Sequence, residues 1–153
     1  MLGSGGVSVV AARHSSAASV EGDKNLHTGW EAYSPERIAA LRAEGKPVFV
    51  DFTAKWCLIC QANKVVLHSS EVQKAFHDRG VVMMEADWTK RDPVITRELE
   101  KLGRTGVPVY VLYPSDTQAT PYILPQTLSN HVIQDYLTRL GEGATTDTVH
   151  VTK

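Results

Sequence analysis

The sequence predicts an α/β fold in which a mixed β-sheet carries helices on both faces. Amphipathic stretches alternate with short runs of β-branched and aromatic residues, and Pro or Gly marks most of the boundaries between them. With 153 residues, 42% of them hydrophobic, the chain has enough apolar material for one domain with a sizeable core. The predicted order of elements is α-β-α-β-α-β-β-α, and a right-handed crossover is expected to join the first two strands.

The first half of the predicted domain places one strand between two helical stretches. A helix is predicted over 35–44, because Ser34 is a good N-cap and a proline follows it at the first helical position. Residues 47–53 are β-branched and aromatic, which is typical of a strand buried on both faces. A second helical stretch is predicted to begin at Cys57, and Ser69 or Ser70 is expected to cap its continuation, which ends at Gly80.

The second half is predicted to contain a strand, a helix, a hairpin and a last amphipathic helix. The helix is expected to begin after Asp92, which acts as its N-cap, and a glycine closes it. The predicted ranges are 81–86 for the strand, 93–102 for the helix, 108–113 and 122–124 for the hairpin, and 128–140 for the last helix.

The ends of the chain show no periodicity that would bury a face. We therefore predict a flexible lead-in over 1–33, a domain over 34–141 and a flexible tail over 142–153. A signal peptide is the alternative interpretation of the N-terminus, but residues 1–10 have no Lys or Arg before their apolar part.

Charge and hydropathy exclude two classes of function. Sixteen basic and seventeen acidic side chains give a net charge of −1 without any basic stripe, so nucleic acid is not an expected partner. No apolar run reaches the ~18 residues that a membrane-spanning helix needs.

The most informative feature is the pair Cys57 and Cys60, where a buried strand gives way to a helix. At a helix N-terminus the backbone N–H groups and the helix dipole favour negative charge, so the Cys57 thiol is expected to be unusually acidic. Two cysteines three residues apart on a helix are close enough to form a disulfide. The pair is therefore predicted to exchange disulfides with a substrate, with Cys57 as the nucleophile and Cys60 as the resolving thiol. This chemistry needs no cofactor and no metal.

Other interpretations of the cysteine pair are weaker. A structural disulfide that closes a ring of about four residues contributes only ~2 kcal/mol. A zinc site needs four ligands, and the chain has two cysteines and no suitably spaced pair of histidines. Haem attachment would need a histidine directly after Cys60, where Gln61 stands.

Two further residues are candidates for the site. Asp51 lies in the apolar strand six residues before Cys57, and a buried acid there is predicted to accept the proton of Cys60; the alternative is a solvated residue at the strand edge. Pro108 follows Val107 at the start of a strand, where a proline either marks an edge strand or has a cis peptide bond.

These residues resemble the thioredoxin superfamily over roughly residues 34–140. The segment 50–57 with Cys60 is similar to that superfamily's active-site strand and turn, with its buried acid and the Trp56 that precedes the first cysteine. Residues 105–108 correspond to its cis-proline loop, so the resemblance implies a thioredoxin fold, a cis peptide at Pro108, and a platform for partner proteins that includes Trp56, Val107 and Pro108.

Within the superfamily the chain most resembles the C-terminal periplasmic domain of the DsbD family of thiol:disulfide interchange proteins. The segments 85–89 and 106–114, together with Arg91 and Asp92, carry this resemblance. It implies a monomeric periplasmic domain of an inner-membrane protein, which takes electrons from a membrane-embedded donor and passes them to a periplasmic acceptor domain. One departure is Lys64, since family members often have an acid four residues after the second cysteine, and a cation there is expected to favour the thiolate.

We therefore expect a protein-disulfide reductase that acts on protein thiols and disulfides. Leu58 and Ile59 between the cysteines differ from the Gly-Pro of thioredoxins and from the Pro-His of strongly oxidising relatives, which favours the reductase direction. The alternatives are an oxidase or isomerase of the same fold, and a thioredoxin-like binding module without redox turnover.

Overall fold

The computed structural model describes the backbone of residues 29–152 and the side chains as far as Gly141. Within this range the strands are β1 Trp30–Ala32, β2 Val48–Thr53, β3 Val82–Asp87, β4 Val109–Tyr113 and β5 Tyr122–Ile123. The helices are α1 Pro35–Ala43, α2 Leu58–Leu67, α3 Ser70–Asp78, α4 Pro93–Lys101 and α5 Asn130–Thr152. No helix in this part of the chain is both long enough and apolar enough to cross a membrane.

The strands form one mixed sheet in the order β1-β3-β2-β4-β5. Strands β1 and β2 pair with β3 in parallel, whereas β4 is antiparallel to both β2 and β5. Strand β2 is central, and all six of its residues are buried. The register places Asp51 of β2 opposite Glu85 of β3 and Tyr110 of β4, so these three side chains share one face of the sheet.

Both faces of the sheet are covered by helices, which confirms the predicted thioredoxin-type architecture. Alternate residues of β2 point to opposite faces: Phe49 packs with α2, α3 and α5, and Val50 packs with α1 and α4. The helices contribute Leu67, Phe76 and Ile133 on the first face and Ile38, Leu41 and Leu99 on the second.

The predicted starts of the first four helices are confirmed. Ser34, Cys57, Ser69 and Asp92 are the N-caps of α1 to α4, and each side chain accepts a hydrogen bond from a backbone N–H of the first turn. A residue with positive φ ends α3, where Gly80 has φ 68°. Residues at the helix ends therefore determine most of the helix boundaries.

The N-terminal boundary of the domain needs correction. The sequence predicts a lead-in over 1–33, but residues 30–32 form β1, and the Tyr33 N–H donates to the Glu85 carbonyl at 2.9 Å. A three-residue edge strand is too short to show a periodicity, which is why the pattern misses it. Residues 1–28 of the predicted lead-in lie outside the described residues.

The last helix also differs from the prediction at both ends. It begins at Asn130 instead of Leu128, and its backbone continues to Thr152. Leu128 is buried in the loop that precedes the helix, so its apolar side chain contributed to a helical pattern without belonging to the helix. The division of the chain at residue 141 and the tail over 142–153 stay predictions.

Candidate active site

A disulfide joins Cys57 and Cys60 where β2 is followed by α2, and the two Cα atoms are 5.2 Å apart. Strand β2 ends at Thr53, a short turn follows, and Cys57 then serves as the N-cap of α2. The structure thus brings the two predicted redox residues together in the predicted place.

The two sulfurs have different environments. Cys57 is 8% exposed, whereas Cys60 is 1% exposed in the first turn of α2. The Cys60 N–H donates to Cys57 Sγ at 3.1 Å. A thiolate at Cys57 would accept this same bond and benefit from the positive end of the helix dipole, so the first cysteine has the surroundings of an attacking nucleophile.

Val107 completes a small apolar cluster around the disulfide. It packs against Ala54, Cys57 and Cys60. The peptide bond between Val107 and Pro108 is cis, as the family resemblance implied. Pro108 is buried and Val107 is only partly buried, so Val107 is the more accessible of the two residues.

Trp56 directly precedes Cys57 and is half exposed. Its indole N–H donates to the Thr89 carbonyl at 3.0 Å, and the neighbouring Lys55 N–H donates to Thr89 Oγ1 at 2.9 Å. The loop after β3 therefore fixes the orientation of the Trp56 ring. Leu58 and Ile59, between the cysteines, are 83% and 54% exposed, so apolar surface lies next to the disulfide.

Asp51 is buried and is not a solvated residue at the strand edge. Its Oδ2 is 3.1 Å from Lys64 Nζ, and Lys64 Nζ is 3.0 Å from Glu85 Oε2. Residues four apart lie above one another on a helix, so Lys64 stands one turn from Cys60 on α2 and reaches down to the sheet. One ammonium group thus bridges two carboxylates beneath the helix that carries the resolving cysteine.

Burial raises the pKa of Asp51 to about 6, against the lowering effect of Lys64, and the charge of Glu85 adds to the rise. Burial also opposes the charge on Lys64, but Asp51 and Glu85 outweigh it, and the pKa of the Lys64 ammonium is raised. Asp51 Oδ1 is buried and has no hydrogen-bond partner among the described residues. A proton on Oδ1 would therefore displace no hydrogen bond of the described residues.

A second buried polar group, Asn63, ties α2 to the rest of the site. Its Nδ2 donates to the Tyr110 hydroxyl at 2.8 Å and to the Gln126 carbonyl at 2.6 Å, while its Oδ1 accepts from the Leu128 N–H at 3.1 Å. Burial and the charge of Asp51 raise the pKa of Tyr110, so its hydroxyl stays protonated. These contacts hold α2 at a fixed position above Asp51.

The sequence did not identify Glu85 as part of the site. Glu85 lies on β3 opposite Asp51, and this pairing depends on the register between β2 and β3, which no pattern within one segment of the chain reveals. The sequence also did not predict that the Lys64 ammonium pairs with two carboxylates, and its effect on the thiolate stays a prediction.

Comparisons with known proteins agree with this geometry. A family model described as thioredoxin-like matches residues 29–115. The thiol:disulfide interchange protein DsbD of Vibrio cholerae is 28% identical over 106 residues, which is 68% of this chain and 17% of that protein. DsbD of Escherichia coli K12 is 32% identical over 84 residues, 54% of this chain and 14% of that protein. The matched part of the chain thus spans about one sixth of the first relative and one seventh of the second.

Solved structures show the same fold. The oxidised C-terminal domain of Neisseria meningitidis DsbD superposes with a TM-score of 0.56 at 24% identity, covering 70% of this chain and 96% of that one. A thioredoxin from Thermus thermophilus gives a TM-score of 0.53 at 22% identity, covering 75% and 85%.

Proposed function

The chain belongs to the thioredoxin-like family, and on that premise we propose that it is a protein-disulfide reductase that passes electrons through Cys57 and Cys60. One observation carries the proposal. A disulfide lies at the N-terminus of a helix, and its first cysteine keeps 8% of its surface exposed whereas its second keeps only 1%. A structural disulfide would not need this difference, whereas an exchange reaction does, because one sulfur must meet the partner and the other must not.

The reaction follows from the positions of the two sulfurs. In the reduced chain the Cys57 thiolate attacks one sulfur of a partner disulfide, forms a mixed disulfide and releases one partner thiolate. Cys60 then loses its proton and attacks Cys57 Sγ, which releases the second partner thiolate. Two electrons have passed to the partner, and the chain now holds the disulfide that the structure contains. An upstream dithiol restores the reduced state by the reverse exchange.

Asp51 is proposed to accept the proton of Cys60. A base works best when its pKa lies near the working pH, and burial brings the pKa of Asp51 to about 6. The Lys64 ammonium donates to Oδ2 and stabilises the ionised Asp51 carboxylate, while Oδ1 is left to receive the proton. Trp56, Val107 and Pro108 are proposed to form the platform on which the partner lies, with Val107 and Trp56 supplying its surface.

The direction of electron flow is argued from charge. A strongly oxidising pair needs a reduced form that is stabilised by cations near the thiolate. Here the residues between the cysteines are Leu58 and Ile59, and the nearby ammonium of Lys64 is bound by two carboxylates. With Asp51 ionised, this buried group carries a net negative charge, which disfavours the thiolate and favours a reductase.

The partners and compartment are proposed from the named relatives. Both are thiol:disulfide interchange proteins much longer than this chain. We accordingly propose that the domain acts as a monomer in the periplasm as part of an inner-membrane protein. It would take electrons from a membrane-embedded donor and pass them to a periplasmic acceptor domain.

The two-sulfur scheme is tested with Cys60→Ser and Cys57→Ser. Reduced Cys60→Ser, incubated with a disulfide-containing protein such as insulin, is expected to accumulate a mixed disulfide through Cys57, visible on a non-reducing gel and by mass. Cys57→Ser is the matched control and is expected to form none. If Cys60→Ser still reduced insulin at the full rate, the resolving role of Cys60 would be wrong.

Two measurements separate the alternatives. Equilibration with a glutathione or dithiothreitol buffer gives the reduction potential, which is expected near the roughly −270 mV of reducing thioredoxins and far from the roughly −120 mV of strong oxidants. Iodoacetamide labelling across pH gives the acidity of Cys57. A binding module without redox turnover would show a Cys57 that reacts no faster at pH 7 than an ordinary thiol.

A further inference from the structure

Arg91 lies against two tryptophan rings beside the disulfide. Its guanidinium carbon is 5.2 Å from the centre of the Trp56 ring and 4.8 Å from the centre of the Trp88 ring. The two rings are 6.1 Å apart, centre to centre. Contacts of this kind hold a guanidinium in place through its flat face and leave its edges free to donate hydrogen bonds.

The backbone keeps Arg91 in this position. Its φ is 54°, and it is the one non-glycine residue between 29 and 152 with a positive φ. This conformation costs about 1 kcal/mol or more for a residue with a side chain, so it persists only where the surroundings impose it. Here the Arg91 N–H donates to the Trp88 carbonyl at 2.9 Å, and Asp92 begins α4 directly afterwards.

The guanidinium has no acidic partner within the described part of the chain. Arg91 is exposed, and none of its guanidinium nitrogens takes part in a hydrogen bond or an ion pair there. The nearby acids are engaged otherwise: Asp87 accepts from the Thr89 N–H at 3.0 Å, and Asp92 accepts from the Val94 N–H at 2.8 Å. Two further exposed cations are the chain neighbours of Trp56 and Arg91: Lys55 precedes Trp56, and Lys90 precedes Arg91.

We propose that Arg91 recognises a carboxylate on the partner protein, next to the cystine that Cys57 attacks. The proposal rests on the proposed function, because it concerns the partner of the same disulfide. Trp56 connects Arg91 with the disulfide, since it directly precedes Cys57 and its ring contacts the Arg91 guanidinium. A partner that fits this surface places an apolar segment on Leu58 and Ile59 and an Asp or Glu on Arg91, whose planar fork matches a carboxylate.

The test uses three alkyl disulfides that differ in charge: dithiodipropionate, hydroxyethyl disulfide and cystamine. The reduced chain is mixed with each, and the rate of oxidation is measured at low ionic strength. The readout is the rate ratio of the anionic to the neutral disulfide, so a general change in thiol reactivity cancels. Arg91→Gln is expected to lower this ratio about five-fold and to raise the ratio of the cationic to the neutral disulfide.

Two controls complete the test. Arg91→Lys keeps the charge and is expected to retain more of the anionic-to-neutral ratio than Arg91→Gln. Lys101→Gln removes an exposed cation at the far end of α4 and is expected to leave the ratio unchanged. Equal ratios in wild type and Arg91→Gln would overturn the assignment of Arg91 alone. A wild-type chain that reacts with none of the three disulfides would overturn the proposed function and this inference with it.

Discussion

Asp51 shows how a single buried residue acquires its chemistry from its neighbours. Burial alone would push its pKa far up, and the Lys64 ammonium at 3.1 Å brings it back to about 6. Glu85 acts in the opposite sense, because it repels the Asp51 charge and takes part of the hydrogen-bonding capacity of Lys64. The proton affinity of Asp51 therefore depends on two side chains that act in opposite directions.

Substituting these two side chains is expected to move the titration of Asp51 in opposite directions. Lys64→Gln removes the attraction and should raise the midpoint by about one pH unit or more, whereas Glu85→Gln removes the repulsion and should lower it. The measurement is the ¹³C chemical shift of the Asp51 carboxyl as a function of pH. The oxidised protein is used, since its cysteines do not titrate.

Asp51→Asn is the control for this titration because it removes the titrating group. The same variant tests how the stability of the protein depends on pH. The pKa of Asp51 is higher in the folded chain than the value of about 4 expected after unfolding, so the folded state binds the proton more tightly. Stability contributed by this proton is complete below about pH 4 and is lost as the pH rises through about 6. Asp51→Asn should remove this loss and should be more stable than the wild type at pH 8.

The titration has its own contradicting outcome. If the Asp51 midpoint did not move in Lys64→Gln or in Glu85→Gln, these two side chains would not set the pKa of Asp51.

Helix α2 contains Cys60 and has Cys57 as its N-cap, and Asn63 fixes the position of this helix relative to the sheet. Its amide makes three hydrogen bonds, one to the Tyr110 hydroxyl of β4 and two to the backbone of the segment before α5. Asn63→Ala would leave the buried Leu128 N–H without its acceptor and the buried Tyr110 hydroxyl without its donor. Each such orphan costs about 1–3 kcal/mol, so a loss of about 2 kcal/mol or more is expected.

Urea unfolding of the oxidised protein measures this loss. Lys74→Ala is a suitable control, because it removes an exposed ion pair with Asp78 on α3 and should change the free energy of unfolding by less than about 0.5 kcal/mol. If Asn63→Ala were as stable as Lys74→Ala, the three hydrogen bonds of Asn63 would contribute nothing to the position of α2.

At this scale the sequence predicts what is local to one element. The caps of α1 to α4 and the disulfide of α2 depend on residues at most four apart, so a pattern in the chain reveals them. The bridge from Lys64 to Glu85 depends on the register between β2 and β3, and the position of Arg91 depends on a loop with an unusual backbone angle. Neither is visible as a spacing.

The whole molecule places its chemistry at the centre of the sheet and its least predictable strand at the edge. Strand β2, which leads to Cys57, has a paired strand on each side, and the antiparallel pairing with β4 brings Tyr110 beside Asp51. The predicted mixed sheet and the family resemblance both point to this arrangement. The edge strand β1 could not be predicted, since only Trp30 among its three residues is buried.

Strand β1 nevertheless belongs to the core, and truncation provides the test. The Trp30 ring packs edge-on against Phe49, with centres 6.2 Å apart, and β1 pairs with three residues of β3. A chain that begins at Ser34 loses this aromatic side chain and exposes the edge of β3. Its free energy of unfolding in urea is expected to fall by about 3–5 kcal/mol, the cost of removing a large buried aromatic residue.

The matched variants decide where the boundary lies. A chain that begins at Gly29 keeps β1 and is expected to be as stable as the full chain, because the predicted lead-in then ends before residue 29. Trp30→Ala in the full chain should reproduce most of the loss seen on starting at Ser34 if side-chain packing dominates over strand pairing. If the chains that begin at Gly29 and Ser34 were equally stable, β1 would contribute nothing to stability. Residues 29–33 would then belong to the predicted lead-in, and β3 would be the edge strand of the stable sheet.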